Sequence, residues 1–217
     1  MKKRSSEKEL IDLKLYTKEE YEDCLRKLNR IGRLLGSQRA MLKIIGKSTP
    51  TSILDVGCGG GAFTRALAKA YPQAKVVGTD IDKEAIDFAK NQIKPLPNLS
   101  FALRPLEEEA PKSFDVVTTT LVCHHLTSPT LATFLDKAAL IAKKAVVCND
   151  LHRHPLAYGL FALSSPILFP NRLIQNDGLV SIKRAFIRKD LEELFARFPL
   201  KKISWHWPFR WIVEAHV

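Results

Sequence analysis

The chain has 217 residues, 46% of them hydrophobic and 26% charged, with a formal net charge of +11. Such a composition excludes a disordered or fibrous chain, and the length suffices to bury roughly 70% of the unfolded surface in one core. No run approaches the ~18 uninterrupted apolar residues of a membrane-spanning helix, and the basic start leads into no apolar leader segment. Cys24, Cys58, Cys123 and Cys148 have no paired spacing, so reduced thiols and a cytoplasmic location are expected. The positive charge favours anionic partners in general. Its carriers are mixed with acids, however, as where Lys183, Arg184, Arg188 and Lys189 precede Asp190, Glu192 and Glu193. No block of like charge marks a nucleic-acid arm.

Taken in chain order, residues 1–15 are polar and expected to be loosely ordered. Thr17 and Glu20 have the spacing of a capping box, and Tyr21, Leu25, Leu28, Ile31 and Leu35 recur at helical intervals as far as Gly36, a terminator. A short helix is expected over 38–45. From residue 50 short apolar runs alternate with helical patterns. Strands are expected at 52–56, 75–79, 100–103, 114–119 and 144–149, and helices at 62–70, 83–93 and 131–142. This alternation predicts an α/β fold with a Rossmann-like, doubly wound, mostly parallel sheet. Near the end, 189–198 reads as a helix. Residues 202–207 and 209–215 read as an antiparallel hairpin joined at Pro208, because proline suits a connection better than a strand interior. The expected organisation is one domain over 1–217, with a helical cap at 1–48 and an inserted, acceptor-binding lid at 151–182.

The strand at 52–56 runs into Gly57, Cys58, Gly59, Gly60 and Gly61, and a helix opens at once. Glycines there let a ligand lie against the backbone, and the helix start offers unpaired N–H groups. A phosphate loop is excluded because no Gly-Lys-Ser/Thr follows. The dinucleotide pattern tolerates Ala62 and is not excluded by spacing. Asp55, two residues ahead of Gly57, separates the remaining readings. A carboxylate there repels a pyrophosphate but attracts S-adenosylmethionine, which carries an ammonium and a sulfonium and no phosphate. Asp80, 19 residues beyond Gly61, can accept hydrogen bonds from both ribose hydroxyls.

These segments resemble the class I S-adenosylmethionine-dependent methyltransferases. The resemblance rests on Leu54-Asp55-Val56-Gly57-Cys58-Gly59-Gly60-Gly61, Val77-Gly78-Thr79-Asp80-Ile81-Asp82, Phe114-Asp115-Val116-Val117 and Leu121-Val122-Cys123-His124-His125-Leu126. It covers residues 50–150 and is similar to the branch of small-molecule, ubiquinone/menaquinone-type enzymes. It implies that Asp55, Gly57, Cys58, Gly59 and Gly61 lie along the methionine moiety, that Asp80 holds the ribose and that Ile81 packs on adenine. Thr119 is counted with these contacts. Where the family often has an acid or amide after the third strand, this chain has Arg104, which cannot accept a hydrogen bond.

For the reacting end, His124 and His125 follow the strand at 114–119, and histidine can take a proton near neutrality. Either is a candidate base, and adjacent side chains on a loop are expected to diverge so that only one faces the acceptor. Asp150, His152 and His154 form a second polar cluster, with Asp150 a candidate helix cap. His152, Tyr158 and Phe161 are candidate acceptor contacts, and Leu163 and Phe169 add to the apolar character of that stretch. No metal site is expected, since His152, His154 and Cys148 fit no usual ligand spacing. Arg33 or Arg39 could meet the cofactor carboxylate.

The sequence reading is therefore methyl transfer to O or C of a small aromatic, quinone or polyketide-like acceptor. Nucleic acid is disfavoured as a partner because Thr118-Thr119-Thr120-Leu121 replaces the Asn/Asp-Pro-Pro-Tyr/Phe signature of base-amino methyltransferases. RNA binding with steep salt dependence would revive it. Peripheral membrane contact is allowed, oligomeric state is open, and a non-catalytic binding protein would be marked by failure to bind cofactor.

Overall fold

A computed structural model describes every residue except Lys2 and Leu35 and, at the level of side chains, Arg33 and Leu34. The expected role of Arg33 and the packing of Leu35 therefore lie outside the described residues. Two helices, α1 (Lys18–Leu34) and α2 (Ser37–Gly46), precede the sheet. Alternating elements follow: β1 (Ser52–Val56), α3 (Ala62–Ala70), β2 (Lys75–Asp80), α4 (Lys83–Gln92), β3 (Leu99–Leu103), β4 (Phe114–Thr120), α5 (Ser128–Ile141) and β5 (Ala142–Leu151). Helices α6 (Pro155–Leu168), α7 (Arg172–Arg184) and α8 (Arg188–Leu194) lead to β6 (Lys201–His206) and β7 (Arg210–His216).

The strands form one sheet in the order β3-β2-β1-β4-β5-β7-β6. The first five are mutually parallel, whereas β7 runs antiparallel to β5 and to β6. The C-terminal hairpin closes at residues 207–209, as Pro208 led us to expect. Central β1 is buried on both faces by Ile53, Leu54 and Val56, which is why it reads as an unbroken apolar run rather than an alternating one. One side of the sheet packs α5 and α8 through Leu131, Leu135 and Phe195; the other packs α2 and α3 through Met41, Ile45 and Leu67. A third cluster joins α1, α4 and α7 through Tyr21, Leu25, Phe88 and Leu173.

The chain winds outward from β1 to β3, then returns to lay β4 on the other side of β1, pairing Val56 with Thr119. In such sheets the carboxyl ends of the two strands flanking the reversal diverge and leave a crevice for ligand. The glycine loop after β1 and the histidine turn after β4 therefore open side by side.

Two expectations need correction. The N-terminal segment is tied down: the Asp177 carboxylate accepts from the backbone N–H groups of Leu10 (2.8 Å) and Ile11 (3.1 Å). Arg4 reaches the carbonyls of Arg184 and Leu126 at 2.8 and 2.9 Å. The helix cap before α6 is His154, whose Nδ1 accepts from the Leu156 N–H, while Asp150 lies within β5. The apolar stretch after residue 154 contains two helices, α6 and α7.

Candidate active site

The loop after β1 is fastened to β2 by the N–H groups of Gly57 and Cys58, which both donate to the Thr79 carbonyl at 2.8 and 3.0 Å. Gly57 has φ 68°, and a Cβ there would lie 2.3 Å from a methyl of Val122, so neither the angle nor the space admits a side chain. Asp80 holds the loop from the other side. Its Oδ2 accepts from the Gly59 N–H at 2.9 Å and its Oδ1 from the Asp82 N–H at 3.0 Å. Burial raises the Asp80 carboxyl above its usual range. The cap of α4 is Asp82, not Asp80, which leaves Asp80 at the wall of the cavity.

That cavity encloses about 900 Å3, room for a cofactor and a small acceptor together. Gly57, Gly59, Asp80 and Ile81 line one end of it, and Ile81 presents 79% of its surface as an apolar platform. Asp55, Cys58, Gly61 and Thr119 are absent from the wall. Asp55 is buried behind the loop, where the Thr64 hydroxyl donates to it at 2.7 Å. Burial pushes the Asp55 carboxyl up to about 7, aided by the charge of Asp80 and opposed by that hydrogen bond. Thr119 spends its hydroxyl on the Val56 carbonyl at 3.0 Å. Helix α1 leans over this end: Leu25 and Leu28 line the cavity and the Asn29 amide donates to the Gly60 carbonyl at 3.2 Å. Arg104 also reaches the wall, paired with Glu109 at 2.5 Å, whereas Arg39 is exposed and away from the cavity.

His124 and His125 also line the cavity, and the expectation that they diverge fails. A single 3-10 turn over Cys123–His125 holds the two rings 4.3 Å apart at 33°, and both face the cavity. Each ring is set by its own carboxylate. His124 Nδ1 lies 2.7 Å from Asp150 Oδ1, and His125 Nδ1 lies 2.9 Å from Asp12 Oδ1. A carboxylate can only accept, so both Nδ1 atoms carry a hydrogen. Both Nε2 atoms converge on Glu9, with His124 Nε2 3.5 Å from Oε1 and His125 Nε2 3.8 Å from Oε2. Glu9 is 2% exposed and accepts from the Ser181 hydroxyl at 2.9 Å. Burial pushes its carboxyl up to about 7, against the opposing charge of His125. Burial also disfavours the Asp150 anion, but the charge and hydrogen bond of His124 outweigh this and hold its carboxyl below the usual range. The turn's backbone is clamped by Arg184, which donates to the carbonyls of His124 (3.0 Å) and His125 (2.5 Å).

His152 and Phe161 line the same cavity, and Tyr158 does not. Leu160, Phe169, Trp207 and Phe209 add apolar side chains to its wall. Sequence reasoning missed Glu9, Asp12 and Arg184. Nothing in a polar N-terminal run distinguishes Glu9 from its acidic neighbours; only the strap across α7 brings it to the histidines. Arg210 was missed as well. It is buried at the cavity wall, its Nη1 has no hydrogen-bond partner among the described residues, and desolvation lowers it to about 10.

The glycine cradle, the paired acceptors of Asp80 and the open face of Ile81 fit S-adenosylmethionine. Comparisons with known proteins agree. The family described as "Methyltransferase domain" matches residues 54–147. Residues 54–147 thus match a methyltransferase domain, and the chain has the Rossmann-like fold of solved methyltransferases. Among curated relatives it is 35% identical over 89 residues to a malonyl-[acyl-carrier protein] O-methyltransferase of Halalkalibacterium halodurans, covering 39% of this chain and 33% of that one. It is 30% identical over 146 residues to a demethylmenaquinone methyltransferase of Tropheryma whipplei, covering 64% and 59%. The matches thus span between a third and three-fifths of those relatives' lengths. Human N-acetylserotonin methyltransferase, solved with S-adenosylmethionine, superposes with a TM-score of 0.71 at 15% identity over 92% of this chain and 56% of that one. No helix among the described residues is long and apolar enough to cross a membrane.

Proposed function

We propose that the chain methylates an oxygen of a small, largely apolar acceptor, of aromatic, quinone or polyketide-like structure. The observation that carries this reading is the convergence of Glu9, His124 and His125 on the same cavity that Gly57, Gly59, Asp80 and Ile81 line. S-adenosylmethionine, when bound, supplies an electrophilic methyl on a sulfonium. Asp80 and Ile81 would hold the cofactor's ribose and adenine, and the glycine loop its methionine portion. Much of the acceleration of such a displacement comes from holding the partners in line, worth roughly 7–11 kcal/mol in favourable cases.

The chain's own contribution at the acceptor is to loosen the proton on the attacking oxygen. His124 is the residue assigned to this, because Asp150 fixes its ring and aims Nε2 into the cavity. Phe161, Leu160 and Trp207 would enclose the acceptor's apolar body and exclude water, while His152 faces it as a polar contact. Tyr158 and the charged end of Arg210 set a further limit: Arg210 suits an acceptor bearing an additional oxygen or acid, Tyr158 is held back from direct contact. Peripheral membrane contact belongs to the same proposal, since exposed Leu160, Leu168 and Trp207 stand at the rim.

The test is calorimetric titration with S-adenosylmethionine, followed by labelled-methyl transfer to a panel of phenols and quinols. Absence of cofactor binding, or transfer undiminished in His124→Ala, would overturn the reading.

A further inference from the structure

Glu9, His124 and His125 present a chemical problem that the proteinaceous surroundings leave unsolved. Three side chains of metal-ligating type point at one another: two imidazoles through Nε2 and a carboxyl group. Their ligating atoms all lie within 4.8 Å of one another. The two separations to Glu9 of 3.5 and 3.8 Å exceed a hydrogen bond. They are close to the spacing of about 3.4 Å between neighbouring donors around a tetrahedral ion with bonds of about 2.1 Å.

We propose that this cluster is a site for one divalent cation of the zinc class, held by Glu9, His124 and His125, with its open coordination position facing the cavity. The inference rests on the proposed placing of the acceptor beside these residues, and in it the cation, with His124 as a ligand, activates the acceptor oxygen in place of a free His124 imidazole.

Three observations support it. Both histidines pass their Nδ1 hydrogen to a carboxylate, Asp150 for one and Asp12 for the other, an arrangement that orients imidazole ligands and raises their basicity. The donor set of two imidazoles and one carboxylate suits zinc or iron(II) better than magnesium or calcium, which prefer oxygen alone. Finally, the donors are fixed before any ion arrives: Arg184 clamps the histidine turn, Ser181 holds Glu9, and Asp177 holds the strap at Leu10 and Ile11.

An acceptor oxygen at the open position would lose its proton to solvent. Its lone pair would then form the new carbon–oxygen bond as the methyl's bond to sulfur breaks, leaving a neutral thioether. The remaining position and the 26% exposure of the His125 side chain give the ion a route in from the cavity.

The experiment uses the full chain stripped with chelator and titrated with Zn2+ by calorimetry, then with Co2+ by visible absorption. One cation per chain is expected, with intense cobalt bands of low-coordinate geometry and imidazole ligation. Glu9→Gln and His125→Ala should each weaken binding by more than tenfold, and Asp150→Asn or Asp12→Asn by about 10–100-fold. S-adenosylmethionine titration of each variant shows that it is folded. Failure of the wild-type chain to take up either ion, or uptake unchanged by Glu9→Gln and His125→Ala, would overturn the proposal. Methyl transfer that persists in chelator yet is lost in His124→Ala would also overturn it, while leaving the methyltransferase reading intact with a free imidazole as base.

Discussion

His124 and Asp150 come from the ends of neighbouring strands and meet at 2.7 Å inside the molecule. Replacing His124 by alanine is expected to lower kcat by about 10²–10⁴-fold, with cofactor affinity nearly unchanged because Asp80 and Ile81, proposed to hold the ribose and adenine, are untouched. Steady-state kinetics beside cofactor titration checks the split. Asp55 makes a prediction of a different kind. Its carboxyl is raised to about 7 in the fold, above the ~3.9 of an unfolded chain, so the folded state holds the proton more tightly. Cofactor-free stability should therefore fall as pH rises from about 4 to about 7, by about 4 kcal/mol from this group, and level off above that. Urea unfolding across this range should show a shallower slope in Asp55→Asn than in the wild-type chain, the remainder coming from Glu9 and Asp80, whose carboxyls burial also raises; parallel curves would contradict the assignment. At this scale Asp55, Asp80 and the histidine pair were legible because motif spacing marks them. Glu9 was not, since its role depends on a fold-back of residues distant in sequence from both histidines.

Among elements, the glycine loop is the most constrained. Gly57→Ala forces a left-handed angle on a residue with a Cβ, costing about 1–2 kcal/mol, and drives that atom into Val122. The variant should show a lower thermal midpoint and weaker cofactor binding. Adding Val122→Ala should restore part of each, since it relieves the clash and not the angle. The N-terminal strap provides a complementary case. Asp177→Ala removes the anchor of Leu10 and Ile11, so turnover should fall through loss of Glu9's placement while cofactor affinity holds; equal losses of both would point to general unfolding. The capping box forms as its spacing foretold, with Thr17 Oγ1 accepting from the Glu20 N–H at 3.2 Å and the Glu20 carboxylate accepting from Thr17 N–H at 3.0 Å. Helix α6 was legible only as an apolar run. It carries no charged residue to set off a polar face, and Pro166 interrupts the usual helical signal.

For the molecule as a whole, the exposed side chains of α6 are organised. Leu156, Leu160, Leu163 and Ile167 recur at helical spacing, with Leu163 and Ile167 exposed to 78% and 82%, and Trp207 is 68% exposed. With a chain charge of +11, the expected outcome is co-sedimentation with anionic phospholipid vesicles. Leu163→Asp combined with Ile167→Asp should reduce it severalfold, and equal sedimentation of both proteins would contradict membrane contact.

The sequence by itself determined the order of strands and helices through the core of the sheet, the glycine loop and the partner acid Asp80. Each of these is a local matter of backbone angle, apolar period and short spacing. Tertiary structure decided the acceptor end. The reversal of winding beside β1 sets the histidine turn against the glycine loop, and the strap over α7 carries Glu9 and Asp12 to the two imidazoles. Those contacts join residues more than a hundred positions apart, so no local period or spacing encodes them. The buried position of Asp55 behind its loop was settled in the same way, by packing against Thr64 on α3.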